Sequence, residues 1–219
     1  MRSTEADIVF LQEVTGENVL KALKYSESPQ SPHYEFLADQ KWPYYAYGKN
    51  AVYPHGHHGN AILSHYPIES NSNTDISTNR LEQRGLLHCC VRLPATDTRI
   101  HCLCVHLNLI RRGRRKQLYL LEQYIENTIP RDSPLVLAGD FNDWRNRDVL
   151  SFASRIALTD AVSIPFRKNV RTFPAKFPLV PLDHIFVRGA GVIRSCRHEG
   201  GIWKKLSDHA PLSATIDLL

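Results

Sequence analysis

Residues 135–143 read LVLAGDFND. Leu135 to Gly139 form a short apolar run of the length and composition of a buried strand, and the run stops abruptly at Asp140, Asn142 and Asp143. Strand ends are where a rigid scaffold presents reactive groups. The same design recurs along the chain. DIVFLQE ends in Glu13, CVHLNL carries His106 and Asn108, PLDHIFV carries Asp183 and His184, and LSDHAPL carries Asp208 and His209. Each segment alone has an ordinary reading, since a Gly-Asp pair commonly makes a turn or caps a helix. Their joint occurrence is harder to explain that way. Several carboxylates converging without a cation would repel one another, and an oxygen-rich cluster suits a hard divalent ion such as magnesium or manganese.

Working outward, the pattern alternates strands and helices. Asp7–Glu13 reads as a buried strand, Glu17–Tyr25 as a short helix and residues 26–32 as a loop, with a helix in HYEFLADQ (33–40). Strands over Tyr44–Asn50 and Asn60–Ser64 flank the Gly- and His-rich turn YPHGHHG, and Asn71–Asn79 reads as a polar loop. LLHCCVRL and RIHCLCVHL form a hairpin across PATDT. A helix over Arg114–Ile129 places Leu118, Leu121, Ile125 and Ile129 on one face. Leu182–Val187 and Leu212–Asp217 are the last strands. No linker separates two domains, so one α/β domain over residues 1–219 is the expectation.

The chain has 219 residues, 42% hydrophobic and 22% charged, with mean hydropathy −0.32. That composition excludes wholesale disorder. No apolar run is long enough for a spanning helix, so stable membrane insertion is not expected. The N-terminus lacks the pattern of a secretory signal, and a cytoplasmic location is expected. A net charge of +5 mildly favours polyanionic partners: nucleic acid, phosphorylated substrates or an anionic membrane surface. Four of five cysteines (Cys89, Cys90, Cys102, Cys104) crowd the hairpin beside His88 and His101. Their spacing matches no strong zinc pattern, and buried reduced thiols are the simpler reading.

Six segments taken in order, DIVFLQEV, HGNAILSHYPI, CVHLNL, AGDFND, LDHIFV and LSDHAPL, resemble the signatures of the endonuclease/exonuclease/phosphatase (DNase I-like) superfamily, and HHGNAILSHYPI and RTFPAKFPLVPLDHIFV resemble a bacterial, YbhP-like branch of it. The resemblance runs from about residue 6 to about residue 215. It implies a four-layer α/β sandwich, two packed mixed β-sheets with helices outside, and a metal-dependent phosphoesterase activity with Mg2+ or Mn2+. Members begin with a strand bearing a supporting Asn. The chain starts only a few residues before DIVFLQE, so that first strand is expected to be missing, as in an N-terminal truncation.

The resemblance also implies roles. Glu13 and Asp208 correspond to metal-side carboxylates, and Asp140 to the group that orients or deprotonates the attacking water. Asn142 corresponds to a ligand of the scissile phosphate, His209 to the imidazole on the phosphoryl oxygen, Asp183 to its hydrogen-bond partner, and His106 to a phosphate-contacting histidine. His184 stands where members often have Arg or Tyr; it is expected either at the rim, touching substrate, or facing solvent. Asn60 closes a turn near the site, and Arg84 either reaches a phosphate or makes a structural ion pair. Arg111, Arg112, Arg114, Arg115 and Lys116 form a basic run at a helix start, where cations oppose the dipole; a solvated face and an anion partner are both open. His55, His57 and His58 read as a mobile turn or a metal site, and Trp42, Trp144 and Trp203 as packing or stacking groups. The substrate classes left open are nucleic acid, a lipid-headgroup phosphodiester and a sugar phosphate. A catalytically weak member that binds a phosphorylated partner is the alternative of another class. The oligomeric state is not legible.

Overall fold

The computed structural model describes residues 5–18, 33–38, 41–163 and 170–218. The chain divides into two compact units, residues 1–106 and 107–219.

In the first unit β1 (Ile8–Asn18), β2 (Tyr44–Tyr53) and β3 (Gly56–Ser64) form an antiparallel sheet with β3 in the middle. β3 is central because GNAILS carries apolar side chains on both faces, and Gly59–Ser64 is wholly buried. Gly59 is required there: a Cβ would stand 1.8 Å from the carbonyl oxygen of Gly48 on β2. A short helix α1 (His33–Ala38) covers the sheet, and Ala38 and Trp42 pack with Leu63 against Val9, Leu11 and Leu37. Three further strands, β4 (Ile68–Asp75), β5 (Gly85–Leu93) and β6 (Thr98–His106), pair antiparallel in sequence. The β5–β6 hairpin places Leu87, Cys89 and Val91 opposite Cys104, Cys102 and Ile100, all buried. Burial pushes the Cys89 and Cys104 thiols up to about 12 and the Cys102 thiol well above its ordinary value, so these cysteines are protonated packing groups. His88, Cys90 and His101 alternate onto the opposite face, where His88 Nε2 lies 2.9 Å from His101 Nδ1. Cysteines and histidines thus do not gather as a zinc site among the described residues.

In the second unit α2 (Arg111–Thr128) buries Leu118, Leu121 and Ile125, as its 3.6-residue periodicity requires. β7 (Leu135–Asp140) is buried at every residue. Full burial of Leu135 and Leu137 contributes about 1.5–3 kcal/mol each, which anchors the strand end. β9 (Asp183–Arg188) pairs antiparallel with β7 and with the two-residue β8 (Thr159–Asp160). Helix α3 (Arg147–Arg155) inserts Val149, Phe152 and Ala153 into the core. β10 (Ala190–Arg197) and β11 (Leu212–Leu218) form a second antiparallel pair, joined through the short α4 (Trp203–Leu206).

Three local expectations need correction. The loop expected over Asn71–Asn79 is strand β4 as far as Asp75; its side chains are exposed, and backbone pairing with β5 overrides a composition poor in strand formers. The expected turn YPHGHHG is shorter, because β3 already begins at Gly56 and His57 and His58 are strand residues. In the expected helix Glu17–Tyr25, residues 17 and 18 belong to β1, and the remainder lies outside the described residues.

Candidate active site

The antiparallel register of β7 and β9 sets Asp140 directly opposite Asp183. Two adjacent carboxylates repel, and the loop before β11 brings His209 to them. His209 Nδ1 lies 2.7 Å from Asp183 Oδ2, and Nε2 lies 4.0 Å from Asp140 Oδ2. Burial opposes charge on this ring. The hydrogen bond that Nδ1–H donates to Asp183, and the negative charges of Asp183, Asp140 and Asp208, outweigh it and push the imidazole up to about 9. His209 is therefore a cation at neutral pH, fixed at Nδ1 and presenting Nε2–H.

The loop after β7 is held tightly. Asn142 adopts a left-handed backbone (φ 52°), and its N–H donates to Asp140 Oδ1 at 2.8 Å. Its side-chain amide donates to the Leu107 carbonyl at 2.9 Å, while the Leu107 N–H donates to the Asp140 carbonyl at 2.9 Å. A buried Asn in a strained turn is a common mark of a functional loop. Asp143 points the other way. One oxygen accepts from the N–H groups of Asp148 and Val149, capping α3, and the other lies 3.5 Å from Arg114 Nη2 in a buried ion pair. Arg114 also donates to the Asn108 and Leu109 carbonyls. Asp143 and Arg114 are thus the internal brace of the loop, and one member of the basic run is removed from any solvent face.

The remaining expectations divide. Asp208 is exposed, with Ser207 Oγ 3.5 Å away, and its backbone carbonyl accepts from Ala175 N–H at 2.6 Å. His184 lies neither at a rim nor in solvent: it is 3% exposed, stacked on Phe186, and bonded at Nδ1 to Asp160 (2.8 Å) and at Nε2 to Asn146 (3.0 Å). The Asn146 amide is best oriented with its nitrogen donating to His184 Nε2, which makes Nε2 the acceptor and places the ring proton on Nδ1. Phe173, tilted against the His209 ring at 4.9 Å, and Thr172, whose hydroxyl accepts from the Leu182 and Asp183 N–H groups, support the dyad. Both lie in RTFPAKFPLVPLDHIFV, a segment that carries the family resemblance, yet neither residue type marks a supporting role.

In the first unit Glu13 sits at a bulge of β1, with φ 55° and its side chain 66% exposed. Its Oε1 lies 3.8 Å from Nδ1 of His106, the last residue of β6. Asn60 is buried and donates to the Gly85 and Cys104 carbonyls, cross-linking β3 to β5 and β6. Arg84 pairs with Glu82 at 3.6 Å, the structural alternative of its two readings.

Asp140, Asp183 and His209 are also the one group of three metal-ligating side chains found together among the described residues, with ligand atoms within 4.8 Å. The carboxylates fit a hard cation. Their oxygen atoms are the donors in this group that suit magnesium or manganese.

Asp140 ends β7, Asp183 opens β9, and His209 is bound to Asp183. A model of the Endonuclease/Exonuclease/phosphatase family matches residues 1–209. The chain belongs to this family. Among curated relatives, the uncharacterized protein YbhP of Escherichia coli K12 is 44% identical over 218 residues, covering 100% of this chain and 86% of the relative. Among solved structures, an endonuclease/exonuclease/phosphatase from Beutenbergia cavernae superposes with a TM-score of 0.78 at 20% identity over 99% of the chain. The chain spans 64% of that protein's length. A mannosyl-6-phosphatase from Bacteroides thetaiotaomicron superposes with a TM-score of 0.73 at 18% identity, covering 99% of this chain and 87% of that one. The fold is therefore the mixed α/β, DNase I-like fold that the sequence resemblance implies, and the family acts on phosphoesters. No described helix is long and apolar enough to cross a membrane.

Proposed function

We propose that this family member is a metal-dependent phosphoesterase that hydrolyses a phosphodiester or phosphomonoester by direct in-line attack of water. The observation that carries the reading is the Asp183–His209–Asp140 arrangement, with 2.7 Å on one side of the ring and 4.0 Å on the other. A gap of 4.0 Å is wider than a hydrogen bond and leaves Nε2–H available to an incoming oxygen. His209 donates that proton to a phosphoryl oxygen, and Asp183 holds the ring's orientation and charge. Asp140 accepts a hydrogen bond from the attacking water and orients it. Asn142 and His106 add donors to the phosphate oxygens. By the family resemblance, Glu13 and Asp208 are the carboxylates that would hold a divalent ion, magnesium or manganese. Such an ion would offset the negative charge of the phosphate and the charge that builds on its oxygens. The match of one family model through both units supports treating residues 1–219 as one catalytic domain.

The test is a magnesium and manganese titration with chromogenic phosphate mono- and diesters. Metal-dependent release that a chelator abolishes is expected. Affinity for phosphate esters without turnover at any metal concentration would mean a binding protein instead. Steep salt dependence of binding would then favour a nucleic acid over a small phosphate ester.

A further inference from the structure

The start of α2 carries more positive charge than folding requires. Arg111, Arg112, Arg115 and Lys116 line an open hollow of about 420 Å³, and no acidic residue lies in the helix's first turn to balance them. Cations at a helix N-terminus oppose its dipole, so this placement does not stabilise the helix. Two of the basic run have internal duties: Arg114 is buried against Asp143, and Arg111 forks onto Asp148 at 2.7 and 2.9 Å. Arg112, Arg115 and Lys116 are exposed. A second hollow of about 340 Å³ adjoins through Arg111; Asp143 and Asp148 in its wall are paired with Arg114 and Arg111, and it adds Arg145 and Arg147, both exposed, together with Leu109 and Trp144.

The apolar groups here decide the kind of partner. Leu109 is 61% exposed, its neighbour Ile110 65% and Trp144 59%. Large apolar side chains spread among five exposed cations match a phosphate backbone poorly, because two of the three are aliphatic and offer nothing to a phosphate and little to a base. They match a lipid interface well. Trp settles at the headgroup level, aliphatic side chains enter the acyl boundary, and Lys and Arg meet anionic headgroups. We propose that the surface built by Leu109, Ile110, Trp144 and the surrounding cations Arg112, Arg115, Lys116, Arg145 and Arg147 seats the protein peripherally on an anionic phospholipid bilayer. The apolar groups insert shallowly and the cations bind headgroup phosphates. Trp144 lies close in sequence to Asn142, so the seated surface borders the candidate active-site loop. The proposal does not depend on the chain being a hydrolase.

The experiment is co-sedimentation with vesicles of phosphatidylcholine alone and of phosphatidylcholine with about one third phosphatidylglycerol, at low and physiological salt. Binding to the anionic vesicles only is expected. Each basic side chain near such a surface is worth about a fivefold change in affinity, so Arg112→Glu with Arg115→Glu and Lys116→Glu weakens binding by at least about 100-fold. Leu109→Ser with Ile110→Ser weakens it most at physiological salt, where electrostatics alone no longer suffices. Tryptophan quenching by brominated lipid gives an independent reading on the parent protein, and Trp144→Phe abolishes it. The proposal is overturned by an absence of anionic-vesicle binding, by binding unaffected by the Leu109 and Ile110 changes, or by quenching that survives Trp144→Phe. It is equally overturned if a fluorescent single-stranded oligonucleotide, and not the vesicles, is captured through the same cations.

Discussion

Asp183→Asn removes one charge from the centre of the site while keeping the side chain's shape. In the parent protein the His209 ring titrates near 9, up from its ordinary 6.5, and burial works against that rise. The largest opposing contributions are the hydrogen bond and the charge of Asp183 itself. Without that charge, burial draws the ring down towards its ordinary 6.5, with only Asp140 and Asp208 resisting. A full return to 6.5 would lower the protonated share at about pH 7.5 from roughly 97% to roughly 10%. If the imidazolium donates to the phosphoryl oxygen, turnover at that pH falls about tenfold from protonation alone, and recovers to within a few-fold of the parent near pH 6. The sign is fixed by linkage. A group whose folded pKa is raised contributes stability in full below about 6.5, and the contribution is lost as pH rises through about 9. The variant therefore loses stability at neutral pH as well as rate. The assay is a pH–rate profile on a chromogenic phosphodiester, paired with an NMR titration of the His209 ring. The reasoning fails if the parent ring titrates near 6.5, or if the alkaline limb of the profile stays in place in Asp183→Asn.

Asp143→Ala strips the cap from α3 and leaves the Arg114 guanidinium buried without its carboxylate. A loss of about 3–5 kcal/mol is expected from urea unfolding, and a loss under about 1 kcal/mol would show that Asp143 faces substrate instead of bracing the loop. His88 behaves oppositely to His209. Burial, then the facing His101, pull it down to about 4. A group with a depressed folded pKa contributes stability above about 6.5 that is lost as pH falls through about 4, so His88→Asn should narrow the fall in melting temperature over that window. An identical acid profile in parent and variant would contradict this.

Much of the site is legible in sequence because an apolar run that stops at a carboxylate announces a buried strand with a reactive end. LVLAGD and PLDHIFV show both the success and its limit. Pairing of β7 with β9 puts Asp140 and Asp183 together, as their shared position at strand ends suggests. Direction within the strand is a different matter. Successive residues of β9 face opposite sides, so Asp183 reaches His209 while His184 turns into the core beside Phe186 and Phe141. Residue type alone does not separate a histidine held by a buried Asp160 from one that meets substrate. Asp143 is hidden for the same reason, since its partner Arg114 comes from a distant helix. In the basic run the opposite holds: sequence marks all five cations alike, and only packing tells the buried Arg114 and the paired Arg111 from the exposed remainder. The strand β4 escapes a reading by composition because its stability lies in backbone pairing along an exposed edge.

The central claim is that Asp140 and His209 perform chemistry on a phosphoester and are not structural residues. Steady-state turnover of the metal-loaded protein, its Asp140→Ala variant and its His209→Ala variant, each checked for a native circular dichroism spectrum, tests this most directly. The account predicts a folded protein and a loss of about 100- to 1,000-fold for each substitution. Turnover above about a tenth of the parent in both folded variants would contradict it.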